Sequence, residues 1–293
     1  MQGILIVDKP AGFTSFDVVA KLRGICKTRK IGHSGTLDPM ATGVLPVFIG
    51  GAARAVDMQQ NTDKAYDAVM LLGRRTDTGD VTGQTLAEAP VPAGVDEAAV
   101  RRVLERFTGP QMQLPPMYSA VKINGQPLYK AARRGETVER KPRPVVIHSL
   151  TLTGRVSENE YALHVACGKG TYVRTLVEDI GAALGVPATL AALRRTQAGP
   201  YTQEQAVGFA QIQQARDEGR LEELLLSVET VFTHLPVVEV DETGEKRLLN
   251  GAPVYRCGAA DGRVRVRRGD VFLGVGRVKG GTLCTEKLFV ERV

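Results

Sequence analysis

The 293-residue chain has only four cysteines, Cys26, Cys167, Cys257 and Cys284, set far apart. They form no C-x-x-C pair and have no histidine at a spacing suited to zinc. This excludes a disulfide scaffold or a structural zinc centre and predicts the reduced thiols of a cytoplasmic protein. No uninterrupted apolar run approaches the roughly 20 residues of a membrane span, so no membrane partner is expected. The opening MQGILIVDKPAG reads as a strand and a turn, not as a leader. Residues 167–174 (CGKGTYVR) hold two glycines and a lysine but lack the spacing G-x-x-x-x-G-K-[ST], which excludes a nucleoside triphosphatase. With no metal-ligand cluster and no dinucleotide fingerprint, no cofactor and no metal are expected.

What is present describes an ordinary soluble chain with an uneven charge. Apolar residues make up 43% and charged residues 24%, enough for one large domain or a large and a small one. Lys and Arg number 38 against 32 acids, a net charge of +6, compatible with nucleic acid without requiring it. Location is more telling than size. Residues 122–143 carry seven basic side chains (Lys122, Lys130, Arg133, Arg134, Arg140, Lys141, Arg143) against two acids, Glu136 and Glu139. Lys21, Arg23, Lys27, Arg29 and Lys30 form a second cluster with no acid.

Periodicity orders the elements. Residues 3–7 (GILIV) predict a buried strand. Thr14 and Asp17 fit a capping box, with Val18, Leu22 and Ile25 on one face of the helix that follows. Its basic side is either a solvated face or a rest for an RNA backbone. Strands are predicted over 44–49, 64–72, 143–156, 160–167 and 188–195, and helices over 96–107 and 171–184. Residues 73–83 (GRRTDTGDVTG) mimic a calcium loop but put Gly79 where an oxygen ligand is required, so tight turns are expected. Asn124-Gly125 signals a hairpin, and Leu128, Ala131 and Ala132 a short helix. Residues 202–232 read as helical. After Pro236 come short strands in which Arg263, Arg265 and Arg267 share one face and Val264 and Val266 the other.

The densest stretch is 31–46, IGHSGTLDPMATGVLP, with three glycines, two prolines, one histidine and one carboxylate, Asp38. Gly and Pro fix a sharply bent backbone. No Lys or Arg in the stretch neutralises Asp38, which sits among Leu37, Pro39, Met40 and Ala41. Asp-Pro also starts ordinary turns, and the local residues alone leave turn and catalysis both open.

The run GHSGTLDPMATGVLP resembles the signature loop of the TruB family, the tRNA pseudouridine(55) synthases. Every fixed position of that family's pattern G-H-x-G-x-L-D-x-x-A-T-G-x-L is matched. The resemblance implies that Asp38 is the nucleophile. VDKP-x-G-x-TS is similar to the family's first motif and implies that Lys9 and Pro10 floor the site. Tyr66, two residues after a lysine on its strand, would stack on the base and handle a carbon-bound proton. The K-G-T-Y-x-R match implies Tyr172 under the target base and Arg174 against Asp38. His33 would hold the extruded nucleotide, and Leu193 would give an apolar base contact. From the residues alone, Tyr66 is equally a half-buried aromatic and Leu193 a core residue.

P-P-x-Y-S-A-x-K and L-Y-x-x-A-R-x-G resemble the family's insertion, implying that 114–143 grips RNA like a thumb through Lys130 and Arg133. The end of the chain more weakly resembles a PUA module. The implied fold is α+β: a mixed, mainly antiparallel central sheet with flanking helices, plus a small C-terminal β-barrel-like PUA domain. The domains would span 1–231 and 232–293. The implied partner is the T-arm stem-loop of tRNA, met by a monomer that isomerises one uridine to pseudouridine. A non-catalytic RNA-binding or folding factor would use the same basic surfaces. A hydrolase built on Ser34, His33 and Asp38 is disfavoured, because 32–35 falls one residue short of the G-x-S-x-G elbow.

Overall fold

A computed structural model describes residues 1–60, 62–123 and 125–290. Strand Gly3–Lys9 pairs antiparallel with Thr42–Ile49 along its whole length. Its alternate residues face two different cores. Leu5 and Val7, with Leu45, Val47 and Ile49, meet Val18, Val19, Leu22 and Ile25 of helix Ser15–Cys26. Ile4 and Ile6, with Val44 and Phe48, face Val231 and Phe232. A strand covered on both faces has to be apolar at every position, which explains the unbroken GILIV. The helix starts on the expected capping box, in which Thr14 Oγ1 accepts from Asp17 N and the Asp17 carboxylate accepts from Thr14 N.

The second half of the sheet is a run of antiparallel strands. Lys64–Leu72 lies between Ala188–Ala198 and Glu160–Cys167, followed by Arg143–Arg155 and the edge strand Gly109–Gln113. Its even positions (Tyr66, Ala68, Met70, Leu72) turn inward to a core shared with helices Glu97–Glu105 and Val173–Ala183. The two halves meet at a parallel pairing of only two residue pairs, Arg194 with Thr42 and Arg195 with Gly43. Gly43 permits that close approach: its φ is +98°, and a Cβ there would stand 2.2 Å from the Arg195 carbonyl oxygen. The whole is a nine-stranded mixed, mainly antiparallel sheet with flanking helices, as expected.

A second sheet of five strands covers Val237–Glu239, Val254–Tyr255, Gly262–Arg268, Val271–Lys279 and Thr282–Leu288. It has a core of its own around Val264, Leu273 and Leu283. It also gives Val275 and Phe289 to the core beneath Ile4 and Ile6, where the rings of Phe232, Phe272 and Phe289 lie 5.6–5.9 Å apart. The arginine row behaves as alternation requires, with Val264 and Val266 buried. Its charge is only partly offset, however: Arg263 and Arg277 share Glu286, and Arg265 and Arg267 share Glu229.

One element expectation fails. Residues 202–232 are not a continuous helical stretch. They form one α-helix, Phe209–Asp217, and three short 3-10 turns, Gln203–Gln205, Leu221–Leu224 and Val228–Phe232. Gly208 at its N-cap and Gly219 at φ +73° bracket the α-helix, and composition outweighed these breaks in the sequence reading. At the expected hairpin, Lys122–Ile123 pairs with Gln126–Pro127; Asn124 itself lies outside the described residues.

Candidate active site

Asp38 sits on the loop between the short strand Ile31–His33 and strand Thr42–Ile49, next to the parallel seam. Its neighbours Leu37 and Ala41 point into the core and are 3% and 0% exposed. Leu37 N donates to Ser15 Oγ at 2.9 Å, and Ala41 N donates to the Asp38 carbonyl at 3.1 Å. The Pro39 carbonyl accepts from Gly12 N at 2.9 Å and from Lys9 Nζ at 3.2 Å. The turn reading was therefore correct, and the turn has a purpose. It buries the residues around Asp38 while leaving one third of its side chain open.

The counter-charge comes from 136 residues along the chain. Arg174 Nε lies 2.8 Å from Asp38 Oδ2, and Arg174 Nη2 donates to Asp38 Oδ1 at 3.0 Å, a two-pronged pairing. The arginine is 4% exposed. Its remaining donors reach the Thr78 carbonyl at 2.6 Å and the Tyr118 carbonyl at 2.8 Å. One guanidinium thus joins the Asp38 loop, the 77–83 turn and the 114–143 insertion. Gly79, at φ +75°, lets the turn come this close, since a Cβ there would meet Arg174 Cβ at 3.3 Å.

Burial lifts the Asp38 carboxyl above its ordinary range; the Arg174 charge and hydrogen bond oppose this, and the nearby Asp80 adds to it. Burial wins that contest, the reverse of the order expected from the pairing alone. A carboxylate partly withdrawn from water yet held at both oxygens is a better nucleophile than a fully solvated one.

Tyr66 is 6% exposed, with its phenol pushed up to about 12 by burial, so it stays neutral at physiological pH. That excludes a standing phenolate base; the Arg195 guanidinium acts on its hydroxyl. Leu193 is buried on the same face, its backbone opposite Ala68 on the Tyr66 strand. Tyr172 caps the helix that carries Arg174 and is half-buried. His33 lies at the end of its strand with Nδ1 lacking a hydrogen-bond partner; burial and the Arg195 charge hold its pKa below the usual value.

Lys9 needs a correction. It is 0% exposed, and its ammonium donates to the carbonyls of Pro10 (2.9 Å), Phe13 (2.5 Å) and Pro39 (3.2 Å). It ties the Asp38 loop to the first strand from behind and presents nothing to a substrate. Lys130 and Arg133 are exposed on helix Leu128–Ala132 and its cap, with Arg133 over the Tyr129 ring. Arg134 is already paired with Glu136.

Sequence reasoning missed two residues. Arg195 is 0% exposed, yet no carboxylate among the described residues forms a salt bridge with it. It donates from Nε to the Val44 carbonyl (2.7 Å) and from Nη2 to the Gly35 carbonyl (2.9 Å), so it clasps both ends of the Asp38 loop. It stands opposite Tyr66 across the strand pair, and its charge acts on that phenol. Its neighbour Arg194 is instead half-exposed and paired with Asp8, and nothing local distinguishes the two. Gln113, 2% exposed, carried no sequence signal either.

Among the described residues no helix is long and apolar enough to cross a membrane. The profile of the TruB family pseudouridylate synthase N-terminal domain matches residues 23–173. The tRNA pseudouridylate synthase B C-terminal domain matches 174–233, and the pseudouridine synthase II TruB C-terminal profile 236–289. The tRNA pseudouridine synthase B of Burkholderia lata is 43% identical over 296 residues, covering 99% of this chain and 91% of its own. That of Bacillus velezensis is 40% identical over 275 residues, covering 91% and 89%. A chain in the structure of an H/ACA RNP bound to a substrate RNA containing 2'-deoxyuridine superposes with a TM-score of 0.73 at 25% identity. It covers 99% of this chain and 86% of that one.

Proposed function

The chain belongs to the TruB family of pseudouridylate synthases, and from that premise we propose that Asp38 is the carboxylate through which it isomerises a uridine of tRNA to pseudouridine. The reaction breaks N1–C1′, turns the uracil, joins C5 to C1′, releases the C5 proton and takes one up at N1. It gains no atoms and changes no oxidation state. It needs an ionised carboxylate beside the ribose and a base removed from its stack. The observation that carries this reading is the two-pronged Arg174–Asp38 pair beside an otherwise apolar loop. Arg174 keeps the carboxylate anionic and aims it, because a guanidinium cannot lose its charge at any working pH.

Around that pair, the Tyr66 ring supplies a stacking surface and Leu193 an apolar edge for the turned base. Tyr172 lies under the base and His33 occupies the mouth of the loop. Phosphates meet Lys130 and Arg133 on the insertion, whose exposed charges and aromatic Tyr129 suit an RNA backbone with unstacked bases. The substrate we assign is the T-arm stem-loop, recognised through its folded shape and splayed loop bases. The enzyme works as a cytoplasmic monomer. Residues 1–231 catalyse, and 232–293 form a PUA-like RNA-binding module that meets RNA with exposed Tyr255 and Arg256.

Tritium release from C5-labelled uridine in a T-arm minihelix tests this. Asp38→Asn should abolish release and retain RNA binding; release at the wild-type rate would refute the assignment and leave a binding protein.

A further inference from the structure

The 114–143 insertion leaves and rejoins the sheet at one place, since Gln113, the last residue of its strand, is the register partner of Arg143, the first residue of the next. A buried glutamine at such a joint has to find partners for both its polar atoms. Gln113 Oε1 accepts from Tyr172 N at 2.8 Å, and Gln113 Nε2 donates to the Tyr172 carbonyl at 3.1 Å. Tyr172 caps a helix, so its N–H has no partner within that helix, and Gln113 supplies one. The next residues of the same turn also reach the insertion. Arg174 donates to the Tyr118 carbonyl at 2.8 Å, and Thr175 Oγ1 donates to the Leu114 carbonyl at 3.5 Å.

We infer that Gln113 is a positioning residue for the isomerisation: its carboxamide locks the hinge of the insertion to the Tyr172 backbone and so sets where that turn presents Tyr172 and Arg174 to Asp38. The inference rests on the roles assigned to Asp38 and Arg174. Together with the Arg174–Tyr118 and Thr175–Leu114 contacts, Gln113 thereby couples the insertion to the catalytic ion pair without itself touching substrate.

Two substitutions of similar size test it. Gln113→Met removes both hydrogen bonds. Gln113→Glu keeps the acceptor for Tyr172 N but loses the donor, which returns only when the introduced carboxyl is protonated. On a tRNA transcript, both should lower the single-turnover rate about 10- to 100-fold while RNA affinity stays within threefold. The rate of Gln113→Glu relative to wild type should recover as pH falls, and that of Gln113→Met should not. Without RNA, amide hydrogen exchange over 172–176 should accelerate in both, a readout independent of catalysis. Unchanged exchange, or a loss confined to RNA affinity, would overturn the inference. If the parent assignment is wrong, Asp38→Asn stays active; if only this inference is wrong, Asp38→Asn is dead and both Gln113 variants turn over normally.

Discussion

Replacing Arg174 with methionine keeps an apolar stem and removes every hydrogen bond of the guanidinium. Two of those four bonds hold Asp38, and two hold the Thr78 and Tyr118 carbonyls. Breaking a buried ion pair costs about 3–5 kcal/mol. One third of the Asp38 side chain is open to solvent, so screening reduces this to about 2–3 kcal/mol. The two carbonyls add about 1 kcal/mol each. The variant should therefore unfold at lower urea concentration than wild type by an amount equivalent to about 4–5 kcal/mol at neutral pH. The sign of its pH dependence follows from Asp38. Burial raises the folded-state pKa of this carboxyl above its unfolded value, and removing Arg174 raises it further. Between those values the folded state binds more protons, so stability falls as pH rises. The deficit of Arg174→Met should accordingly shrink as pH falls through the folded-state pKa of Asp38, as the carboxyl becomes neutral in both proteins. Misplacing the carboxylate by the same 2–3 kcal/mol predicts about a 100-fold slower single-turnover rate. The acid limb of the rate profile should also move to higher pH. Turnover within threefold of wild type, with an unmoved acid limb, would refute the reasoning.

Lys9 offers a second pH signature. Burial lowers its ammonium to about 8 from an unfolded value of 10.5. From pH 8 to 10.5 the unfolded chain holds the extra proton, so this group makes stability rise with pH, by up to about 3 kcal/mol. The stability difference between wild type and Lys9→Met, measured in urea, should grow by that amount over the window; a flat difference would refute it. Truncation after residue 233 removes Phe272, Val275 and Phe289 from the core under Ile4 and Ile6. At about 1.5–3 kcal/mol per buried side chain, the remaining chain should lose about 5 kcal/mol or more and aggregate, as light scattering would show.

How much of this was legible beforehand divides by the range of the physics. Alternation in GILIV, the Thr14–Asp17 cap and the Asp96 cap are written in adjacent residues, and the elements begin where those residues dictate. The bent loop around Asp38 was legible for the same reason, since Gly and Pro restrict the backbone wherever they stand. Its candidacy as a site came from a long run of specified residues resembling a known motif. By contrast, 202–232 was misread because composition suggested helix while single glycines broke it.

Tertiary structure decided what depends on closure of the sheet. Arg194 and Arg195 are the same residue in a row, yet strand pleat and the two-residue parallel seam turn one outward to Asp8 and bury the other behind the Asp38 loop. Lys9 was placed on the substrate side until the fold enclosed it among three carbonyls. The sequence by itself singled out Asp38 as the candidate carboxylate through its motif and determined the local shapes that surround it, because those are set by neighbouring residues. Only the folded chain decided which cations reach that carboxylate and which brace its loop, because charges far apart along the backbone become partners only when the strands that carry them are in register.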